Sequence, residues 1–175
     1  MNFTLRPWKD SDLDSLVKYA SNKDIAKYLT NTFPYPYTAE DGKKFIEFTK
    51  SFDPIHSLAI IIEGKAIGGI GIHQKEDVYS KNAEIGYWLA EPFWGKGIMS
   101  KAIVEAIDYG FKTFDIDRIF GSVFEPNTGS QKVLEKCGFI FEAKFERTVY
   151  KNGEFLNELI YGLRRDNWNK KSSYK

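Results

Sequence analysis

Gly95 and Gly97 flank a single lysine at the point where a β-rich run, Ala83 to Leu89, gives way to a stretch of helical period beginning at Ile98. Glycines at such a junction let backbone N–H groups approach a ligand with no Cβ in the way, and the following helix N-terminus adds partial positive charge. The spacing therefore predicts a strand, a tight loop and a long helix, with a geometry suited to a pyrophosphate at the join. Lys96 either adds an ion pair or points to solvent. Other phosphate loops fit less well. A Walker A loop would need glycine where Ala90 stands and Ser or Thr where Gly97 stands. A dinucleotide fingerprint lacks its third glycine, because Ser100 occupies that position. Glycines used only for turning and packing remain the alternative.

The flanking sequence gives the loop a context. Phe3 to Arg6 alternates as a strand, and Leu13, Leu16, Val17 and Ala20 then form one apolar helical face. Phe33-Pro34-Tyr35-Pro36-Tyr37 resists regular helix and reads as an aromatic loop. Thr38 with Asp41 three residues on predicts the capped start of a second helix. Ser57 to Glu63 and Ala66 to His73 predict a hairpin, which Ala83 to Leu89 extends. After the long helix come a strand at Arg118 to Phe124 and a helix from Asn127 to Cys137, ended by Gly138. A last hairpin turns at Asn152-Gly153. The order β-α-α-β-β-β-α-β-α-β-β predicts an α/β (α+β) fold. Its mixed, mostly antiparallel central sheet has about seven strands, with helices on both faces.

Composition removes several classes of function. The 175 residues suit one domain, expected over 1–165, with a polar tail over 166–175. The stretch Asn169 to Lys175 reads as solvated, with nucleic-acid contact as the alternative. A balance of 25 Lys+Arg against 24 Asp+Glu gives no overall field to hold a nucleic acid or an anionic membrane. No apolar run approaches the roughly 20 residues of a membrane span. Nothing at Met1 to Arg6 resembles a secretory signal, so a reducing, cytoplasmic setting is expected. The lone Cys137 has no internal partner, and His56 and His73 have no zinc-like spacing, so no metal is expected.

Trp94-Gly95-Lys96-Gly97-Ile98-Met99 resembles the acyl-CoA loop of the GNAT N-acetyltransferase superfamily. Trp94 and Met99, in place of that loop's usual residues, are similar to the branch that acetylates alanine or serine N-termini of ribosomal proteins. Ala83 to Leu89 and Asn127-Thr128-Gly129-Ser130, leading to Val133 through Phe139, carry the same likeness, which spans Phe3 to about Arg164. The resemblance implies the acyl-CoA N-acyltransferase fold. It also implies acetyl-CoA as co-substrate, a primary amine as acceptor, and a monomer or homodimer. Cofactor contacts would then come from Trp88, Leu89, Trp94, Gly95, Lys96, Gly97, Ile98, Met99, Ser100, Asn127 and Ser130.

Acetyl transfer to an amine needs a base, a donor to the thioester carbonyl and a group to stabilise the departing sulfur. Glu84, a carboxylate on an otherwise apolar strand, matches the family's acidic position and is the candidate base; an ordinary surface or ion-paired Glu is the alternative. The Leu89 N–H is the candidate carbonyl donor. Ser130 is the candidate partner of the sulfur, or else a first-turn serine bonded to backbone. Many members of the superfamily place a tyrosine acid where Leu134 stands, so that acid is absent. Phe33, Tyr35 and Tyr37 either wall the acceptor or pack onto the core. The rival to an enzyme is a non-catalytic acyl-CoA sensor.

Overall fold

The computed structural model describes residues 2–172. Seven strands have the order β1-β2-β3-β4-β5-β7-β6. They are β1 (Thr4–Pro7), β2 (Ser57–Ile62), β3 (Lys65–Gln74), β4 (Asn82–Leu89), β5 (Arg118–Phe124), β6 (Ile140–Lys151) and β7 (Glu154–Arg164). Among the described residues six α-helices accompany them: α1 (Leu13–Ala20), α2 (Lys23–Ala26), α3 (Ala39–Lys50), α4 (Ile98–Thr113), α5 (Thr128–Cys137) and, after the last strand, α6 (Arg165–Ser172). The sheet is mixed because β4 and β5 pair in parallel while β1–β2, β2–β3, β5–β7 and β6–β7 pair antiparallel. This is the mixed, mostly antiparallel sheet that the element order predicts.

The described chain divides into two compact units, one of residues 2–71 and 87–102, the other of 72–86 and 103–172. The core of the first unit gathers Trp8, Leu16, Ala20, Ile25, Tyr37, Ile46, Ala59, Ile61, Ala66 and Trp88. Its helix α3 starts where the sequence places it. The Thr38 hydroxyl accepts from the Asp41 amide at 3.2 Å, and the Asp41 carboxylate accepts from the Thr38 amide at 2.9 Å. The β2–β3 hairpin turns through Glu63 and Gly64, both at positive φ (49° and 75°), the pair a tight two-residue turn requires.

In the second unit, β5 is the centre against which two helices pack. Gly110 of α4 lies under Ile72 and Ile119, and Gly121 of β5 lies under Leu134 and Ile85. A Cβ on Gly121 would stand 3.1 Å from Leu134, which is fully buried. Helix α5 ends at Gly138, whose φ of 98° is the left-handed stop that glycine allows.

The end of the described chain differs from the polar tail expected over 166–175, because Arg165–Ser172 is helical. Two side chains anchor it. The Arg165 guanidinium donates to the carbonyls of Phe111, Phe114 and Ile116, which end or follow α4. The Trp168 indole donates to Asp108 at 2.7 Å. Apolar periodicity gives no hint of this helix, since tethers at its N-terminal half hold it instead of a buried face. The residues after Ser172 in the expected tail lie outside the described residues.

Candidate functional site

The glycine loop lies in the first unit. After Leu89 the chain makes a short turn over Glu91–Phe93 and reaches Gly95 and Gly97 at φ of 71° and 72°. Neither glycine has an atom within 4 Å of where a Cβ would stand, so the backbone there is open as well as left-handed. The first bond of α4 runs from the Lys101 N–H to the Gly97 carbonyl at 3.4 Å. The amides of Gly97, Ile98 and Met99 therefore precede the helix ladder and point out of its N-terminus. Ile98 and Met99 bury their side chains and offer only backbone to a ligand, while Ser100 is half-buried in the first turn. Lys96 is exposed, with its ammonium 5.5 Å from the Phe93 ring centre.

Trp94 has a role that the sequence does not disclose. Its indole N–H donates to the Leu89 carbonyl at 2.7 Å, tying the loop back to the strand end. Trp88 is buried against Phe33, ring centres 5.7 Å apart. Gly68 of β3 lets that strand end come close, for a Cβ there would stand 2.5 Å from the Trp88 carbonyl oxygen. The adjoining Ala90 N–H donates to the Ile67 carbonyl at 2.8 Å.

The aromatic segment divides in two. Phe33 and Tyr37 pack together, centroids 5.1 Å apart, against the first unit's core, and burial pushes the Tyr37 hydroxyl up to about 12. Tyr35 remains 55% exposed, so of the three rings it is the one most available to an acceptor.

The candidate acid–base groups, Glu84 and Ser130, lie in the second unit. Glu84 pairs with Phe120 across the parallel β4–β5 ladder and accepts a hydrogen bond from the Lys75 ammonium at 2.6 Å. The same ammonium sits 5.5 Å from the Phe120 ring centre, and the Arg118 guanidinium 4.6 Å from it. Arg118 is held in turn by Glu142 and, at 3.0 Å, by Asn82. Sequence alone singles out Glu84 as a candidate but not this chain of partners, because β3, β5 and β6 meet only through the sheet register. Gly86, two residues on and so on the same face of β4, is exposed, with open space where a Cβ would stand.

Asn127 caps α5, its side-chain oxygen accepting from the Ser130 amide at 3.1 Å. That bond uses the Ser130 backbone and leaves the amide nitrogen of Asn127 outside the cap. Leu134 and Cys137 are core residues, buried on the inner side of α5. Among the described residues no group of three or more His, Cys, Asp or Glu side chains is arranged for a metal ion, and no helix is long and apolar enough to cross a membrane.

Residues 2–140 match the family model described as "Acetyltransferase (GNAT) domain". The chain belongs to the GNAT acetyltransferase family. It is 33% identical to the uncharacterized N-acetyltransferase YoaA of Bacillus subtilis over 91% of each chain. It is also 33% identical to the putative ribosomal N-acetyltransferase YdaF of the same organism, over 62% of this chain and 59% of that one. Among solved structures, RimL, a ribosomal L7/L12 α-N-protein acetyltransferase in complex with coenzyme A, shares the fold with a TM-score of 0.84. That likeness comes at 23% identity, over 95% of this chain and 96% of that one. The GNAT chain is thus an acetyl-CoA-dependent N-acyltransferase with the acyl-CoA N-acyltransferase fold. Its glycine loop fits the CoA pyrophosphate: two left-handed glycines with no Cβ to intrude, followed by outward amides at the start of a 16-residue helix.

Proposed function

We propose that this enzyme acetylates a primary amine, either the N-terminal α-amine of a protein or peptide or an amine of a small molecule, by direct attack of the amine on the thioester. Acetyl-CoA supplies an activated acetyl group. The amides from Gly95 to Met99 hold its pyrophosphate, and the Trp88–Leu89 strand end pairs with its pantetheine arm, with Asn127 a further contact. Glu84 accepts the proton that the acceptor ammonium sheds to become nucleophilic. The Leu89 N–H donates to the oxygen on which charge develops, and Ser130 donates to the sulfur as it leaves.

The observation that carries this reading is the placement of Glu84. It is a carboxylate on the half-exposed side of β4, held at 2.6 Å by Lys75, with the open Gly86 position next to it on the same face. The likeness to YdaF, named a putative ribosomal N-acetyltransferase, supports a protein amine as one acceptor class. The test follows free thiol while acetyl-CoA is offered N-terminal peptides, polyamines, aminoglycosides and amino acids. Glu84→Gln is expected to lower turnover at least tenfold with acetyl-CoA binding retained; equal rates would remove Glu84 from the mechanism. Acetyl-CoA binding without thiol release from any acceptor would favour a sensor.

A further inference from the structure

On the sheet face that carries Glu84, a second carboxylate stands in an aromatic row. Phe124 of β5 pairs with Glu158 of β7, and Glu158 pairs with Phe145 of β6. Residues opposite one another on antiparallel strands share a face, with Cβ atoms about 4.5–5.5 Å apart. Glu158 therefore has a phenyl ring in the neighbouring position on either side. Phe120, Ser122 and Phe124 alternate onto that same face of β5, and Phe120 is the partner of Glu84.

The Glu158 carboxylate is oriented but not neutralised. It accepts from the Ser122 hydroxyl and, at 3.5 Å, from the Thr148 hydroxyl. Nearby cations are engaged elsewhere: Lys144 with Glu125 at 2.7 Å, and Arg147 at 4.8 Å from the Phe155 ring centre. No ion pair among the described residues includes Glu158. A half-buried carboxylate between two rings is the chemistry that receives an organic cation, since ring faces attract an ammonium and the carboxylate balances its charge. Phe145 keeps 48% of its surface exposed, so the row is open on that side.

We propose that Glu158, with Phe124 and Phe145, binds an alkylammonium group, which on the acetyltransferase reading above is a second cation of the acceptor. Glu84 is level with Phe120 and Glu158 with Phe124, four residues further along β5 and thus about 13 Å away along the strand. One ammonium cannot serve both carboxylates. The acceptor is accordingly a flexible chain with at least two amino groups, one to react and one to anchor.

The test uses the full chain, with spermidine as the multiply charged probe and n-butylamine as the singly charged one. Spermidine is expected to shift the NMR amide signals of Phe145 and Glu158 saturably. Glu158→Gln should weaken that binding at least tenfold and raise the spermidine KM at least tenfold more than the n-butylamine KM. Phe145→Leu, a change at a half-exposed site that keeps apolar bulk, should weaken spermidine binding severalfold. Wild-type binding that Glu158→Gln leaves intact, no spermidine binding by the wild type, or equal KM changes for both amines would overturn the proposal. Glu158-dependent binding with no thiol release from any amine would sink the acetyltransferase reading and leave this site standing. Glu84-dependent turnover with no Glu158 effect would do the reverse.

Discussion

The Trp94 indole donates to the Leu89 carbonyl at 2.7 Å, so the loop that leaves β4 is fastened to the strand it leaves. The bond spends an acceptor at the strand end and fixes the approach to Gly95. Trp94→Phe keeps an aromatic ring, though a smaller one, and loses the donor. A hydrogen bond of this kind is worth about 1 kcal/mol, so acetyl-CoA affinity, measured by calorimetry, is expected to fall roughly fivefold.

Gly97→Ala meets no steric obstacle, since nothing lies within 4 Å of the added Cβ, but it must hold φ at 72°. The left-handed region costs a non-glycine residue about 1–2 kcal/mol. The variant is expected to stay folded by circular dichroism, to melt lower, and to bind acetyl-CoA more weakly than Trp94→Phe does.

Gly162→Ala acts through a neighbour. The Glu142 carboxylate lies where a Cβ on Gly162 would be, and from there it holds Arg118. Alanine displaces Glu142 and breaks the pair, for an expected loss of about 1–2 kcal/mol at a partly buried site. In urea unfolding, Gly162→Ala combined with Glu142→Ala should cost less than the sum of the two single changes.

Asp12 gives the first unit an acid-sensitive joint. Burial alone would raise its carboxyl, but hydrogen bonds from Arg6, both at 2.7 Å, and from the Lys9 amide outweigh burial and hold it below the usual carboxylate range. A depressed folded-state value means that this stabilisation is present above the ordinary Asp range and is lost as pH falls through the lower one. Urea midpoints taken from neutral to acid pH should fall more steeply for the wild type than for Asp12→Asn. Arg6→Met should cost about 2–3 kcal/mol, below the 3–5 of a fully buried pair, because the Arg6 side chain is 25% exposed.

Burial raises the Tyr37 hydroxyl to about 12, so this ring stays neutral while ordinary tyrosines ionise near 10. The stabilisation it brings is complete below the unfolded value and is lost as pH rises through the folded one. Burial and the neighbouring Glu135 raise Tyr161 too, so alkaline absorbance titration is expected to show late tyrosine ionisation that Tyr37→Phe reduces.

Local chemistry made much of this fold legible in advance. Thr38 with Asp41, Gly138, Asn152-Gly153 and the glycine loop act over a few residues, and each stands where its sequence signal places it. Helix α6 was not legible, because its anchors, Arg165 and Trp168, find their partners 49 to 60 residues back in the chain. The surroundings of Glu84 escaped sequence reading for a related reason. Lys75, Phe120, Arg118 and Glu142 lie on or at the ends of three different strands, none of them the strand of Glu84, and no spacing rule joins them. Trp94 was legible as a residue of the loop but not as a donor to it, since its partner is a backbone carbonyl that any residue would supply.

The two loop glycines carry a demand of handedness alone. The space beside Gly95 and Gly97 is empty, so the loop objects to the chirality of an added methyl group and not to its bulk. A mirror-image alanine, placed at position 97 by chemical ligation, would enter its own preferred backbone region and should preserve the loop that ordinary alanine strains.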